Sequence, residues 1–128
     1  MTMDTALSLY RLLWQPQGRI RRWSYWLVAA LATIAFLVLQ PVVEQVFGRW
    51  VTIGFYLLFY WTAFCLMAQR CHDIGRSAWW LLLVPVPIIG VAWAILVLGF
   101  RRGDAGDNQY GPDPRPAPPP YAVVEAVQ

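Results

Sequence analysis

"WWLLLVPVPIIGVAWAILVLGF", Trp79 to Phe100, is the stretch on which the fold turns. It carries no Asp, Glu, Lys, Arg or His, and it is long enough for the ~20 helical residues that cross a ~30 Å hydrocarbon core. Near its middle, however, stand Pro85, Pro87 and Gly90, which remove backbone donors and loosen a helix. The segment either spans with a kink or turns back as a re-entrant hairpin.

Two further stretches lack ionisable side chains in the same way: Trp23 to Val43 and Trp50 to Gln69. Over the whole 128 residues, 59% are hydrophobic and 13% charged, against about 45–50% and about 25% in soluble domains. There is room for one unit, and its apolar surface is expected to be buried in lipid and between helices. The fold class predicted is therefore an all-α integral membrane protein with three hydrophobic helices, at about 23–43, 50–69 and 79–100. A short amphipathic helix at the membrane surface is predicted ahead of them, from Asp4 or Thr5 as N-cap and Leu7, Tyr10 and Leu13 or Trp14 on one stripe. Residues 1–114 form the membrane domain in this reading. Residues 115–128 are a proline-rich disordered tail.

"RRWSYWLVAALA", from Arg21, imitates an export signal, with twin arginines and an A-x-A at Ala30 and Ala32. The apolar run continues to Val43, beyond the ~7–15 residues of a signal core, so an uncleaved first membrane helix is expected.

All ten basic residues are arginine, and the net charge is +3. They lie at segment edges, which points to lipid headgroups and away from nucleic acid. With three full spans, Arg11, Arg19, Arg21, Arg22, Arg70 and Arg76 share one side, and Arg49, Arg101, Arg102 and Arg115 the other. That balance favours a cytoplasmic N-terminus. If the third segment turns back, Arg49 alone remains opposite, which obeys the positive-inside rule better, yet so long an apolar run ordinarily spans. Three spans are the expectation adopted.

Gly18-Arg19, Gly48-Arg49 and Gly75-Arg76 each precede a tryptophan at the entrance of an apolar segment. Trp23, Trp26, Trp50, Trp79 and Trp80 are read as interface anchors, indole rings at headgroup level beside snorkelling arginines. Ala29, Ala30, Ala32, Thr33 and Ala35 form a small-residue face for close helix approach, and the second segment supplies bulk from Phe55 to Phe64.

The only histidine, His72, lies in "QRCHDIGRSAWW" (Gln69 to Trp80) next to Asp73. Together they are the weak candidates for acid–base catalysis, since imidazole titrates near neutrality. No nucleophile with a positioned base accompanies them. Arg70, Asp73 and Arg76 read first as exposed ion pairs around a helix end closed by Gly75, and second, with Arg19 and Arg22, as a docking site for lipid headgroups or a partner. Cys65 and Cys71 are six residues apart and point away from each other on a helix, so no disulfide is expected. Two cysteines and one histidine match no zinc spacing, and Asp104, Asp107, Asn108 and Asp113 match no calcium loop, so no metal and no cofactor are expected. Pro118 to Tyr121 spells PPPY, a string that polyproline-reading grooves accept.

Three motifs in order, "GRIRRWSYW" (Gly18 to Trp26), "QRCHDIGRSAWWLL" (Gln69 to Leu82) and "GDNQYGPDP" (Asp107 to Pro114 within it), resemble the bacterial YhaH-like inner-membrane proteins, catalogued as domain of unknown function 805. The tail motif rests on Asn108, Tyr110, Gly111, Asp113 and Pro114. Gln69 and Cys71 stand where that family more commonly has Arg and Leu. The resemblance implies a small multipass protein of the bacterial cytoplasmic membrane; it implies no activity and no catalytic residues.

Three functions are carried forward. The first is a noncatalytic membrane protein whose interfacial Arg, His and Asp dock lipid headgroups, another membrane protein or a second copy. The alternatives are an interfacial enzyme using His72 and Asp73 on a lipid-linked substrate, and a homo-oligomeric channel built on the small face. No ionisable group lies inside the apolar segments, which disfavours a pump acting alone.

Overall fold

The computed structural model describes residues 3–115. The PPPY string and all but the first residue of the proline-rich tail lie outside them.

Helix α1, Met3–Trp14, opens the chain. It leaves Leu7, Tyr10 and Trp14 exposed. Its last carbonyls, which a helix cannot satisfy itself, are met from elsewhere: the Gln69 amide donates to Leu12 O at 2.9 Å and Gln15 O at 2.6 Å. Trp61 Nε1 donates to Trp14 O at 3.4 Å.

The helical region α2, Arg22–Asp73, contains both the first and the second apolar stretches. Among the described residues it is the one helix long and apolar enough to cross a membrane. Gly48 breaks it, at φ 75 and ψ 179, a conformation essentially reserved for glycine. On either side runs an arm of roughly 25 residues, ~37 Å long at 1.5 Å per residue. The arms are antiparallel. Phe36 stacks on Phe59 with ring centroids 4.1 Å apart, whereas a continuous helix would separate them by ~34 Å. Ala29, Ala32 and Thr33 of the first arm face Phe59, Ala63 and Leu66 of the second across a void of about 100 Å³. Three residues of the small-residue face are thus used within the chain, between its own two arms, whereas Ala30 and Ala35 are exposed.

The third apolar stretch differs from the expectation of one helix over 79–100. It is a 3-10 helix at Ala78–Leu83, a short α3 at Ile89–Trp93 and a π-helical run at Ala94–Phe100. The chain reverses between the first two, where Ile88 takes φ 67. Trp80 and Trp93 consequently stack 6.3 Å apart, against ~20 Å along a straight helix. The physical reason lies in Pro85 and Pro87, which cannot donate to the helix, and in Gly90, where any side chain would overlap the Leu83 and Val84 carbonyls. Phe100 therefore returns to the end of the molecule from which Trp79 left.

No strand occurs among the described residues; Asn108 and Gly111 make one isolated antiparallel bridge. The core is small and lies at the polar end of α2, with Ala68, Cys71, Ile74, Leu81 and Leu98 at its centre.

Candidate functional site

All three polar motifs meet at that end. The second arm of α2 stops in a Schellman cap: Arg76 N donates to Cys71 O at 2.9 Å and Gly75 N to His72 O at 3.1 Å, with Gly75 left-handed at φ 70. The chain beyond Phe100 adds two further donors to this helix end. Asp104 N donates to Asp73 O at 2.7 Å, and the Asn108 amide donates to His72 O at 2.9 Å. Asn108 also turns its own chain, accepting from Tyr110 N at 2.9 Å.

Two arginines lock these segments together. Arg70 is 0% exposed. Its Nε donates to Leu98 O at 2.8 Å, and its terminal nitrogens donate to Ile20 O, to Arg101 O and to the Asp73 carboxylate. Arg19 approaches the other Asp73 oxygen at 3.2 Å and donates to Asp104 O at 2.7 Å and Gly106 O at 2.6 Å. A carboxylate between two guanidiniums, with the remaining donors spent on backbone carbonyls, is the arrangement that makes a buried charge tolerable. Burial pushes the Asp73 carboxyl above its ordinary value, and Arg70 and Arg19 hold it back. Gly103 is required by the same packing, since a methyl there would run into the Asp73 carboxylate.

The expected exposed ion pairs of Arg70 and Asp73 are thus buried. The spacing is as read, but the Leu98–Gly106 segment covers it. His72 and Asp73 also do not pair. Asp73 turns to the arginines, whereas His72 Nδ1 lies 3.2 Å from Gly18 O and its ring stacks on Tyr110 at 4.2 Å. Burial holds the His72 pKa below its ordinary value, against the opposing Gly18 hydrogen bond. Burial likewise pushes the Cys71 thiol up to about 11, so it is not a ready thiolate. Both cysteines are free.

Arg22 donates to Phe100 O at 3.2 Å. Together with Arg21, Arg102 and Arg115 it lines a cleft of about 550 Å³, beside Trp23 and above Asp73. Arg115 is held by Asp113, whose carboxyl it pulls well below the usual range. Arg76 lies 4.6 Å over the Trp80 ring instead of pairing with Asp73. Pro114 lines the arginine cleft, and Gly111 O accepts from Arg19 at 3.4 Å. Among the five tryptophans expected as interface anchors, Trp23, Trp50 and Trp79 are the most exposed, at 80%, 84% and 78%. Trp26 instead donates to Gly99 O at 3.0 Å, and Trp80 stacks on Trp93. No three His, Cys, Asp or Glu side chains gather for a metal among the described residues.

Gln69 caps α1, a role that the spacing of the sequence does not disclose. A clue lay in an amide ending an otherwise apolar segment, where an unpartnered polar group is costly.

Residues 13–112, which contain Arg19, Arg70, Asp73 and the Asn108 turn of this end, match the family described as "Protein of unknown function (DUF805)". The chain belongs to the DUF805 family. Two curated relatives, each named "Inner membrane protein YhaH", come from Escherichia coli strain K12 and Escherichia coli O157:H7. Each is 32% identical over 125 residues, covering 91% of this chain and 100% of the relative. No solved structure matches. The DUF805 match begins within α1 and ends just past the Asn108–Gly111 bridge. It therefore includes both arms of α2, the folded-back third segment and the tail turn that caps them.

Proposed function

We propose that this DUF805 protein is a noncatalytic docking protein of the bacterial inner membrane that holds the phosphates of anionic lipids in its arginine cleft. The two arms of α2 cross the bilayer, and the third apolar segment enters and returns without crossing. The interlocked polar end and the N-terminus are cytoplasmic. The name of the Escherichia coli relatives supports the location. Charge supports the orientation: every arginine except Arg49 then lies on the cytoplasmic side.

The observation that carries the reading is the cleft of Arg21, Arg22, Arg102 and Arg115 beside an exposed Trp23. Guanidinium forks match phosphate geometry, and an indole marks headgroup depth. Arg19, Arg70 and Asp73 serve beneath it as the frame that fixes the cleft, rather than as the groups that touch lipid. His72 without a carboxylate partner favours binding over catalysis.

The test is native mass spectrometry of the purified chain from mixed phosphatidylethanolamine and phosphatidylglycerol nanodiscs. Replacing Arg21, Arg22 and Arg102 by Gln should cut retained phosphatidylglycerol several-fold, while Arg49→Gln leaves it unchanged. Equal retention in both variants overturns the docking reading. Topology is tested separately with Gln109→Cys, an exposed position. It should react with an impermeant maleimide in inside-out vesicles only; labelling in intact cells reverses the orientation.

A further inference from the structure

His72 keeps one ring edge out of the interlocked end. Its Nδ1 faces the Gly18 carbonyl oxygen at 3.2 Å. A carbonyl only accepts, so the proton sits on Nδ1 and the neutral ring presents a lone pair at Nε2. Nε2 makes no hydrogen bond among the described residues. It is also not sealed in, because no fully buried polar side-chain atom there lacks a partner. Stacking on Tyr110, with the ring planes 10° apart, fixes the plane in which the lone pair points.

His72 also lines a second cleft, of about 400 Å³, with Phe64, Ser77, Trp79, Leu81 and Leu82. That volume lies within the ~300–1,000 Å³ of ordinary small-molecule sites. Its walls are apolar, and Trp79 and Leu82 are exposed at its mouth. Among the described residues, two with polar side chains line it. One is the His72 imidazole, an acceptor. The other is Ser77, whose Oγ accepts from Trp79 N at 3.4 Å and so retains its own proton to give.

We propose that this cleft binds a neutral lipid with a hydroxyl head. The lipid O–H donates to His72 Nε2, its oxygen accepts from Ser77, and its chain lies along Phe64, Trp79 and Leu82 toward the bilayer. A hydroxyl is the head that both donates and accepts, as this pair of side chains requires. A phosphodiester does not fit: it has no proton to offer Nε2, and no arginine among the described residues lines this cleft. An ammonium does not fit either, since no carboxylate among the described residues lines the cleft to pair with it. The site is separate from the arginine cleft and does not depend on phosphate docking there.

With a single histidine in the chain, ring-labelled [15N]histidine reports this group alone. The full-length protein in phosphatidylethanolamine nanodiscs is titrated with dodecanol, dodecyl methyl ether and dodecyl phosphate. Dodecanol should shift the Nε2 resonance upfield and saturate it. The ether should bind about tenfold more weakly, the worth of one lost hydrogen bond, and leave Nε2 in place. His72→Gln, whose amide oxygen reaches the Nε2 position, should keep the preference for the alcohol. His72→Asn, which reaches only the Nδ1 position, should lose it. Equal affinity of the unaltered protein for alcohol and ether overturns the proposal without recourse to a variant. Stronger binding of the phosphate, or an Nε2 resonance already protonated at neutral pH, overturns it too.

Discussion

The two ends of the α2 hairpin are made on opposite plans. At Gly48 the chain reverses on a single residue, Arg49 follows it, and Gln40 bonds Glu44 at 2.8 Å on the exposed surface. At the other end, the loop before Arg22, the cap at Gly75 and the segment beyond Leu98 interlock through Arg19, Arg70 and Asp73. One end is set by backbone conformation and the other by long-range hydrogen bonds between residues far apart in sequence. Damage to the first should be local. Damage to the second should loosen several elements at once.

The largest contrast is in the arginines. Arg70→Ala leaves Asp73 with Arg19 alone and strips the Ile20, Leu98 and Arg101 carbonyls of their donor. It should cost about 3–5 kcal/mol, read as a fall in the unfolding midpoint in mild detergent. Arg49→Ala should stay within ~0.5 kcal/mol. Equal effects would dissolve the distinction.

Next come two glycines that fail for different reasons. Gly103→Ala overlaps the Asp73 carboxylate, and Gly48→Ala forces a side chain into a positive-φ turn that has open space around it. Each should lose about 1–3 kcal/mol. Only Gly103→Ala should also speed hydrogen exchange at Asp104 N, the amide that caps Asp73. Exchange unchanged there would mean the tail docks without the Asp73 site.

Gln69→Ala removes the donor from the end of α1 and should cost about 1 kcal/mol. Proteolysis between α1 and α2 should quicken, with the Gly48 turn as resistant as before.

The smallest effect is in pH. Burial holds the folded-state pKa of His72 below its ordinary 6.5. The folded site therefore takes up a proton less readily than the unfolded chain. Its contribution is fully present above about pH 6.5 and is lost as pH falls through the lowered pKa. Amide exchange at Asn108 and Gly111, corrected for intrinsic rate, should rise between about pH 7.5 and 5.5. His72→Gln should abolish that rise, and a rise that survives in His72→Gln would move the cause elsewhere.

The arms of α2 were legible because apolar runs of spanning length are a local property, and the turn between them was marked by Gly48-Arg49. The third segment was not. Its composition is that of a spanning helix, and only Pro85, Pro87, Gly90 and the arginine count argued for reversal. Breaking a helix costs less where Trp80 stacks on Trp93 and the π-helical run packs back on α2, and those contacts are not local. Arg70 and Asp73 show the same limit. A three-residue spacing places two charges on one helix face, yet whether that face is wet or covered depends on Leu98 and Arg101, some thirty positions later. His72 and Asp73 looked like a pair because they are neighbours in sequence. On a helix, neighbours diverge by about 100°, and the two side chains found different partners.

The carbonyls that receive Arg70 lie on both sides of it in the chain, at Ile20 and at Leu98 and Arg101. A ribosome delivers the first early and the others late. During synthesis the two arms can pair before their own latch has been translated. The half-made protein thus carries an unfinished arginine at its end until that later loop emerges, and a message truncated before Leu98 yields a chain whose Arg70 lacks two of its backbone acceptors.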